Sequence, residues 1–368
     1  MSDLDRKSIE PIALTFMGEG NIRGFQQFFK RGKLPDQKIK ESYQEALSGA
    51  LSAEGGMLCV DGSDFVKKGS DSVGVYRQHC GRLGKTENCQ AGVFSSYVSK
   101  KGYGLIESDL YLPKAWFGKE YAEKRIQCQI PKNTEFKTKN EIASEQIRSI
   151  IECNKFDISW IGCDAAFGCD HKFLKSLPKS VFYFAATKEN ELVFLEMPQM
   201  IIPKSTKVNG RPFKHPRPSV LAVTVKEIAE NERIPWEMTV LAQGTKGPVN
   251  AQIKCIRCLS CESTTQYGNY ISPGEWIWLY IRRYSDGKIK YFVSNAPENT
   301  DRSTLDRLAT MRWSIEQCFQ ECKSYLGMTH YETRTFQSWH RHMLFVMIAH
   351  LFTTLLRVAL KKTPANHA

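Results

Sequence analysis

Apolar residues recur at steps of three and four along Leu305, Leu308, Ile315, Phe319, Cys322 and Leu326, the spacing of one helical face. At about 100° per residue, Arg312 and Lys323 fall within about 40° of Glu316 on the margin of that stripe. The pattern predicts a helix that starts near Ser303, where Ser303-Thr304-Leu305-Asp306 has the form of a capping box, and stops at Gly327. Taken alone, such a margin reads first as a solvated face with an i,i+4 Arg–Glu pair.

Upstream, residues 1–56 read as mostly helical and basic, with Phe25, Phe28 and Phe29 beside Lys30, Arg31 and Lys33, then a helix over Gln37 to Leu51. This region is either a small DNA-contacting lobe or a helical cap. The apolar run Met57 to Val60 predicts a short buried strand ending at Asp61, followed by a turn through Gly62 with Lys67 and Lys68 behind it. That places an acid at the rim of a sheet, or else an Asx turn. Strands are predicted over Gln90 to Val98 and Tyr103 to Leu112, and a helix over Glu141 to Glu152. Ile158 to Cys163 then runs into Asp164, a second acid ending a second apolar run, before a short helix over His171 to Leu177 and a strand over Val181 to Ala186.

Strand and helix alternation predicts an α/β core over residues 57–189, completed by residues 301–368. Residues 190–300 differ, with short apolar runs at Val220 to Val225, Met238 to Leu241 and Trp276 to Arg282 separated by Pro, Gly and Lys, and read as a β-rich insertion. Its Lys204 to Arg211 and Lys214 to Arg217 segments read as exposed basic loops.

Composition narrows the partner. The chain has 368 residues, 42% of them apolar, enough for a large core and two structural units. A formal net charge of +12 favours a polyanion such as nucleic acid. The basic residues are spread along the chain rather than gathered in one amphipathic segment, which argues against a membrane surface. Met343 to Leu360 is interrupted by His350, Thr353, Thr354 and Arg357 and reads as a buried helix rather than a span. The opening residues show no apolar signal segment, so the twelve cysteines are expected to be reduced thiols in the cytoplasm.

Three other motifs are weak. Gly81-Arg82-Leu83-Gly84-Lys85-Thr86 lacks the glycine a phosphate-binding loop needs, since His79 holds that place, so no nucleotide cofactor is expected. Cys255, Cys258 and Cys261 form a double Cys-x-x-Cys with no fourth zinc ligand nearby, which leaves metal binding there open. His340 and His342 read as phosphate contacts or surface residues before metal ligands.

Asp61, Asp164 and Glu316 stand out as a set. Phosphodiester chemistry needs charge neutralisation and in-line placement of the attacking oxygen, and carboxylates that hold divalent ions supply both. Spacing alone is weak evidence, because 39 acidic residues offer many triples.

Val60 to Gly69, Ser72 to Val75, Gly84 to Gln90, Leu110 to Pro113, Asp164 to Gly168, and Arg312-Trp313-Ser314-Ile315-Glu316 on through Lys323, Gly327, His330 to Glu332, Arg334 and Trp339 to His342 resemble the blocks of bacterial insertion-sequence transposases of family seven-hundred-one. The blocks span roughly residues 6 to 352. The resemblance implies a ribonuclease-H-like fold with a β-rich insertion between the second Asp and the Glu, and carries the acidic triad onto Asp61, Asp164 and Glu316. Arg312, Glu316 and Lys323 fit the helix signature of the related insertion-sequence-four group. Three positions depart from the pattern: Ala309 where a Tyr is expected, Gly62 where relatives often have a second Asp, and Val66 where they often have Pro. The chain also starts late relative to the family, which bears on recognition of transposon ends.

What the resemblance implies is a cytoplasmic, nucleoid-associated bacterial enzyme that binds two Mg²⁺ ions, or Mn²⁺ in their place, cuts double-stranded DNA at insertion-sequence ends, and joins the freed 3′-hydroxyl to target DNA as a dimer or larger multimer. Arg312 and Lys323 would position phosphates, and Lys67, Lys68, Arg334 and Arg341 would add contacts to the DNA backbone. Two other readings stay open: a non-cutting DNA-binding protein that keeps the fold, and a metal-dependent nuclease without a joining step.

Overall fold

The computed structural model describes residues 4–203, 215–244, 247–264 and 270–362 of the chain. It divides into two compact units, one formed by residues 1–160, 176–178 and 311–368, the other by residues 161–175 and 179–310.

In the first unit, α1 (Ile9–Phe16), α2 (Ile22–Arg31) and α3 (Asp36–Leu51) precede four strands: β1 (Gly56–Val66), β2 (Tyr76–Cys80), β3 (Lys85–Ser99) and β4 (Gly102–Tyr111). β3 pairs antiparallel with β1 along one edge and with β4 and then β2 along the other. From Cys89 to Ser99 every residue of β3 is buried, because both faces of this central strand are covered. After α4 (Ala122–Gln127), helix α5 (Lys139–Glu152) covers one face with Ile142, Ala143, Gln146, Ile147 and Ile150. Gln146 accepts from Ser95 Oγ at 2.6 Å and donates to Val93 O at 3.1 Å, tying the helix to the strand.

Helix α5 begins in a capping box: Thr138 Oγ1 accepts from Glu141 N, and the Glu141 carboxylate accepts from Thr138 N. Thr138→Ala is expected to destabilise the first unit by about 1 kcal/mol, read as a lower denaturation midpoint; an unchanged midpoint would show that the cap is energetically idle.

The chain leaves this unit within β5 (Ile158–Cys163). The second unit contains α6 (Ala165–Gly168), α7 (His171–Ser176), β6 (Phe182–Thr187), β7 (Leu192–Phe194), β8 (Met200–Ile201), β9 (Arg217–Pro218), β10 (Val223–Thr224), α8 (Val225–Glu230), β11 (Glu237–Gly244), β12 (Gly247–Thr264), β13 (Tyr270–Tyr284), β14 (Ile289–Ser294) and α9 (Arg302–Met311). Its strands run β10-β7-β12-β13-β14-β6, each pair antiparallel, with β11 also on β12 and a separate β8–β9 pair. Of the expected basic loops, residues 204–214 lie outside the described residues. The chain returns to the first unit for α10 (Ser314–Tyr325) and α11 (Phe336–Lys362).

The architecture is mixed α/β, as the alternation predicted. Two local expectations change. Asp61 does not end its strand, because β3 supplies backbone partners through Val66, and Asp61 faces Phe94 in mid-strand. The helix expected from Ser303 to Gly327 is two helices broken at Arg312 and Trp313. Its start is Arg302 rather than a capping box, since Asp306 accepts hydrogen bonds from Tyr280 Oη at 2.6 Å and Thr239 Oγ1 at 2.9 Å. The expected stop holds: Gly327 has φ +73°, and Met328 N returns to Cys322 O at 3.0 Å.

α11 is long and apolar enough by length and composition to cross a membrane. Trp339, Met343, Val346, Met347 and Leu351 bury its inner side in the first unit, while Phe352, Leu355, Leu356 and Leu360 are exposed.

Candidate functional site

Cross-strand partners on an antiparallel pair share a face. Asp61 therefore lies on the same face of the first unit's sheet as Phe94, whose ring meets Phe319 of α10 at 5.4 Å and Trp339 of α11 at 6.2 Å. The stripe Ile315, Phe319 and Cys322 buries α10 against this face. That packing turns the charged margin of the helix toward the Asp61 edge.

The break before α10 does not separate Arg312 from Glu316: one guanidinium nitrogen donates to Glu316 Oε1 at 2.6 Å. Arg312 is only 5% exposed, whereas the Glu316 side chain is 40% exposed. Burial alone would lower the guanidinium's pKa, but the Glu316 and Asp61 charges raise it above the usual arginine value. Two carboxylates on different elements are thus coupled to one buried cation. Asp61 also accepts from Gly62 N at 2.6 Å. Beneath them, burial pushes the Cys59 thiol up to about 12, so it stays protonated.

Lys323 completes this edge. Its ammonium lies 5.4 Å from the Phe319 ring centroid and 5.9 Å from that of Phe65. Burial lowers its pKa, and the positive charge of Arg82 lowers it further, while Asp64 and Asp61 act in the opposite direction.

Asp64 and Arg82 were not singled out from the sequence. Asp64 Oδ2 accepts from Gly81 N at 2.7 Å, which ties the Arg82 turn to β1. The only sequence signal for Asp64 was its place three residues after Asp61. Strand alternation puts that position on the opposite face, so spacing alone did not mark it.

Asp164 belongs to the second unit. It caps α6, accepting from Ala166 N at 3.0 Å and Phe167 N at 3.3 Å. As expected, it directly follows a strand. Behind it Gly168 packs so tightly that a Cβ there would lie 2.0 Å from Ala186 O.

The other basic candidates are placed differently. Lys67 Nζ sits 3.5 Å from the Tyr331 ring centroid and donates to Tyr331 O at 3.2 Å, and burial lowers its pKa to about 8. Lys68 is exposed, and Arg334 is exposed and pairs with Asp71 at 3.3 Å. Arg341 is not a surface cation. It is 2% exposed, donates from Nε to both Asp36 oxygens at 2.9 Å, and donates to the carbonyls of Phe28, Phe29 and Gly32. Its guanidinium holds α2 and α3 to α11.

The histidines and cysteines do not assemble a metal site. Among the described residues, no three His, Cys, Asp or Glu side chains are grouped to hold a metal ion. Cys255 and Cys258 stand three apart on β12, where alternation sends them to opposite faces, and burial pushes the thiols of Cys255, Cys258 and Cys261 up to about 12. His340 Nδ1 lies 2.9 Å from Phe336 O. His342 is buried with Nε2 3.1 Å from Gly327 O, and its pKa is lowered from 6.5 to about 4, chiefly by burial.

The His342 shift has a definite sign. Between about pH 6.5 and 4 the unfolded chain binds a proton at His342 that the folded chain does not, so stability falls as pH falls through that window. His342→Gln is expected to flatten the loss, which reaches at most about 3 kcal/mol. Denaturant titrations at pH 7 and pH 4.5 check it; an unchanged pH dependence would remove His342 as its source.

Comparison with known proteins adds the family. A probable transposase for insertion sequence element IS701, from Microchaete diplosiphon, is 26% identical over 198 residues. The match covers 52% of this chain and 47% of that relative, so it spans about half the length of each. The NurA nuclease of Sulfolobus solfataricus aligns over 96% of this chain and 98% of its own, with 8% identity and a TM-score of 0.29, too low to bear on the fold. Residues 1–248 match the family described as DDE superfamily endonuclease, a stretch that contains Asp61 and Asp164 and ends before Glu316. The chain belongs to the DDE superfamily endonuclease family.

Proposed function

We propose that this protein is a transposase with a ribonuclease-H-like catalytic core, which cuts double-stranded DNA at insertion-sequence ends and transfers the freed strand into target DNA. The observation that carries the reading is the packing of α10 on the sheet face that carries Asp61, with Glu316 bonded to the buried Arg312 and Lys323 along the same helix. Glu316 is bonded to a buried guanidinium at the edge of the strand that carries Asp61, which brings two carboxylates and a fixed cation to one side of the first unit. They are the arrangement expected where charged phosphates must be received.

The donor set fits hard divalent cations. Asp61, Glu316 and Asp164 offer carboxylate oxygens, and the Cys59 thiol, two residues before Asp61, is kept protonated by burial. Asp61 and Glu316 would hold Mg²⁺ or Mn²⁺ in the first unit, with two ions expected, and Asp164 is the ligand proposed from the second. When bound, such ions neutralise phosphate charge and lower the pKa of a nucleophilic water or hydroxyl. Glu316 is the outward member of its pair, so substrate approaches from its side. Arg312 fixes the Glu316 carboxylate in orientation, and Lys323 supplies a positive charge for a non-bridging phosphate oxygen. Asp164, anchored by two backbone N–H groups, presents its carboxylate from a rigid strand-to-helix junction.

The test is a strand-cleavage assay with purified protein, Mg²⁺ or Mn²⁺, and a duplex carrying the inverted repeats that flank the gene. Cuts at the repeat ends together with joined products are expected. Binding without nicks would replace the reading with a non-cutting DNA-binding protein, and cuts without joined products would replace it with a nuclease.

A further inference from the structure

The second unit contains a cavity of about 710 Å³ that no part of the proposed chemistry uses. Helix α7 contributes His171, Lys172 and Lys175 to its wall, and the turn between β6 and β7 contributes Lys188 and Glu191. Its floor is less polar, formed by Cys169, Leu192, Cys261 and Ile271.

The charges of this wall do not cancel. Glu191 is engaged by His171 Nε2 at 3.0 Å and by Thr187 Oγ1 at 3.2 Å, and Glu262, also in the wall, is engaged by Lys175 Nζ at 2.6 Å. With both carboxylates occupied, Lys172 and Lys188 have no acid within ion-pair distance among the described residues, and both are exposed. An open cavity with a surplus of ammonium groups in its wall suits the sugar–phosphate backbone of duplex DNA, whose phosphates pair with lysines and whose sugars offer an apolar face.

The cavity is also close in the chain to the second carboxylate. Helix α6 starts directly after Asp164 and α7 at His171. The link between them is braced by Asp170 N donating to Phe167 O at 3.0 Å and by Asp170 Oδ1 accepting from Lys172 N at 2.9 Å and Phe173 N at 3.1 Å. Lys172 therefore stands on the helix that directly follows the one capped by Asp164, joined to it by a braced link.

We propose that this cavity is a binding groove for the DNA backbone, in which Lys172 and Lys188 contact phosphates flanking the one at Asp164. The proposal rests on the DNA-processing reading above. The experiment measures binding of the full chain to a duplex without divalent cation, so that affinity is read apart from cleavage, across a series of salt concentrations. Each phosphate contact contributes about 0.9 to the slope of log K against log salt. The double variant Lys172→Ala/Lys188→Ala is expected to reduce the slope by about 1.8, while Lys172→Arg/Lys188→Arg retains it. Both positions are exposed, so truncation leaves the core untouched. Wild-type affinity and slope in the alanine variant would overturn the groove and leave the DNA reading standing. Failure of the wild-type protein to bind duplex at any salt concentration would overturn both.

Discussion

Glu316→Gln is expected to reduce divalent-metal-dependent cleavage of an end-containing duplex by at least about 10²–10³-fold, with fold and duplex binding retained. The substitution keeps the length of the side chain and changes only its charge. The site tolerates it structurally, since the Glu316 side chain is 40% exposed and the α10 core is formed by Ile315, Phe319 and Cys322 on another side of the helix. Gln still accepts a hydrogen bond from Arg312, so the turn between α9 and α10 keeps its tie. What is lost is one of the two negative charges coupled to that guanidinium. Asp61→Asn and Asp164→Asn are expected to behave alike, and the second is a clean probe because Asn caps a helix as well as Asp does, so α6 persists. Cleavage rates on the repeat-bearing duplex, measured beside thermal unfolding of each variant, decide the matter. Near-normal cleavage by any one of the three would remove that residue from the chemistry.

Arg341→Ala is expected to act on stability and to leave the salt dependence of DNA binding unchanged. The side chain is buried and satisfies Asp36 and three main-chain carbonyls at once. Truncation removes the guanidinium from Asp36 and from carbonyls that keep the weaker donors Gly32 N, Ser338 Oγ and Leu34 N, a loss of about 1.5–3 kcal/mol for hydrogen bonds to a charged group. Denaturant unfolding followed by a first-unit probe such as the buried Trp339 measures it. A loss below about 0.5 kcal/mol would mean that water replaces the guanidinium freely. A flattened salt slope in a normally folded variant would return Arg341 to the surface role that the sequence suggested.

Arg341 and Lys67 show what a linear reading does with cations. Both lie within blocks that resemble transposase motifs, and both are basic, which in a chain of net charge +12 points outward toward DNA. Whether a cation faces solvent depends on which carbonyls and rings surround it. Those belong to Phe28, Phe29 and Gly32 for one and to Tyr331 for the other, residues remote in sequence.

Local periodicity determined much of the rest. The α/β class, the strand that carries Asp61, the strand that ends before Asp164, the helix expected over Glu141 to Glu152, the stop at Gly327 and the face of α10 that would be buried were all legible, because a helix or strand repeats its environment at a fixed interval. The extent of β1 beyond Asp61 was not, since it depends on backbone partners offered by β3. Nor was the break at Arg312 and Trp313, where one apolar stripe continues across two helices. Only tertiary structure decided that Arg312 would be buried, that Asp61 and Glu316 would share its charge, and that Asp64 would hold the Arg82 turn. Pairing of charges across elements is set by how sheet and helices pack, and no repeat along the chain encodes it.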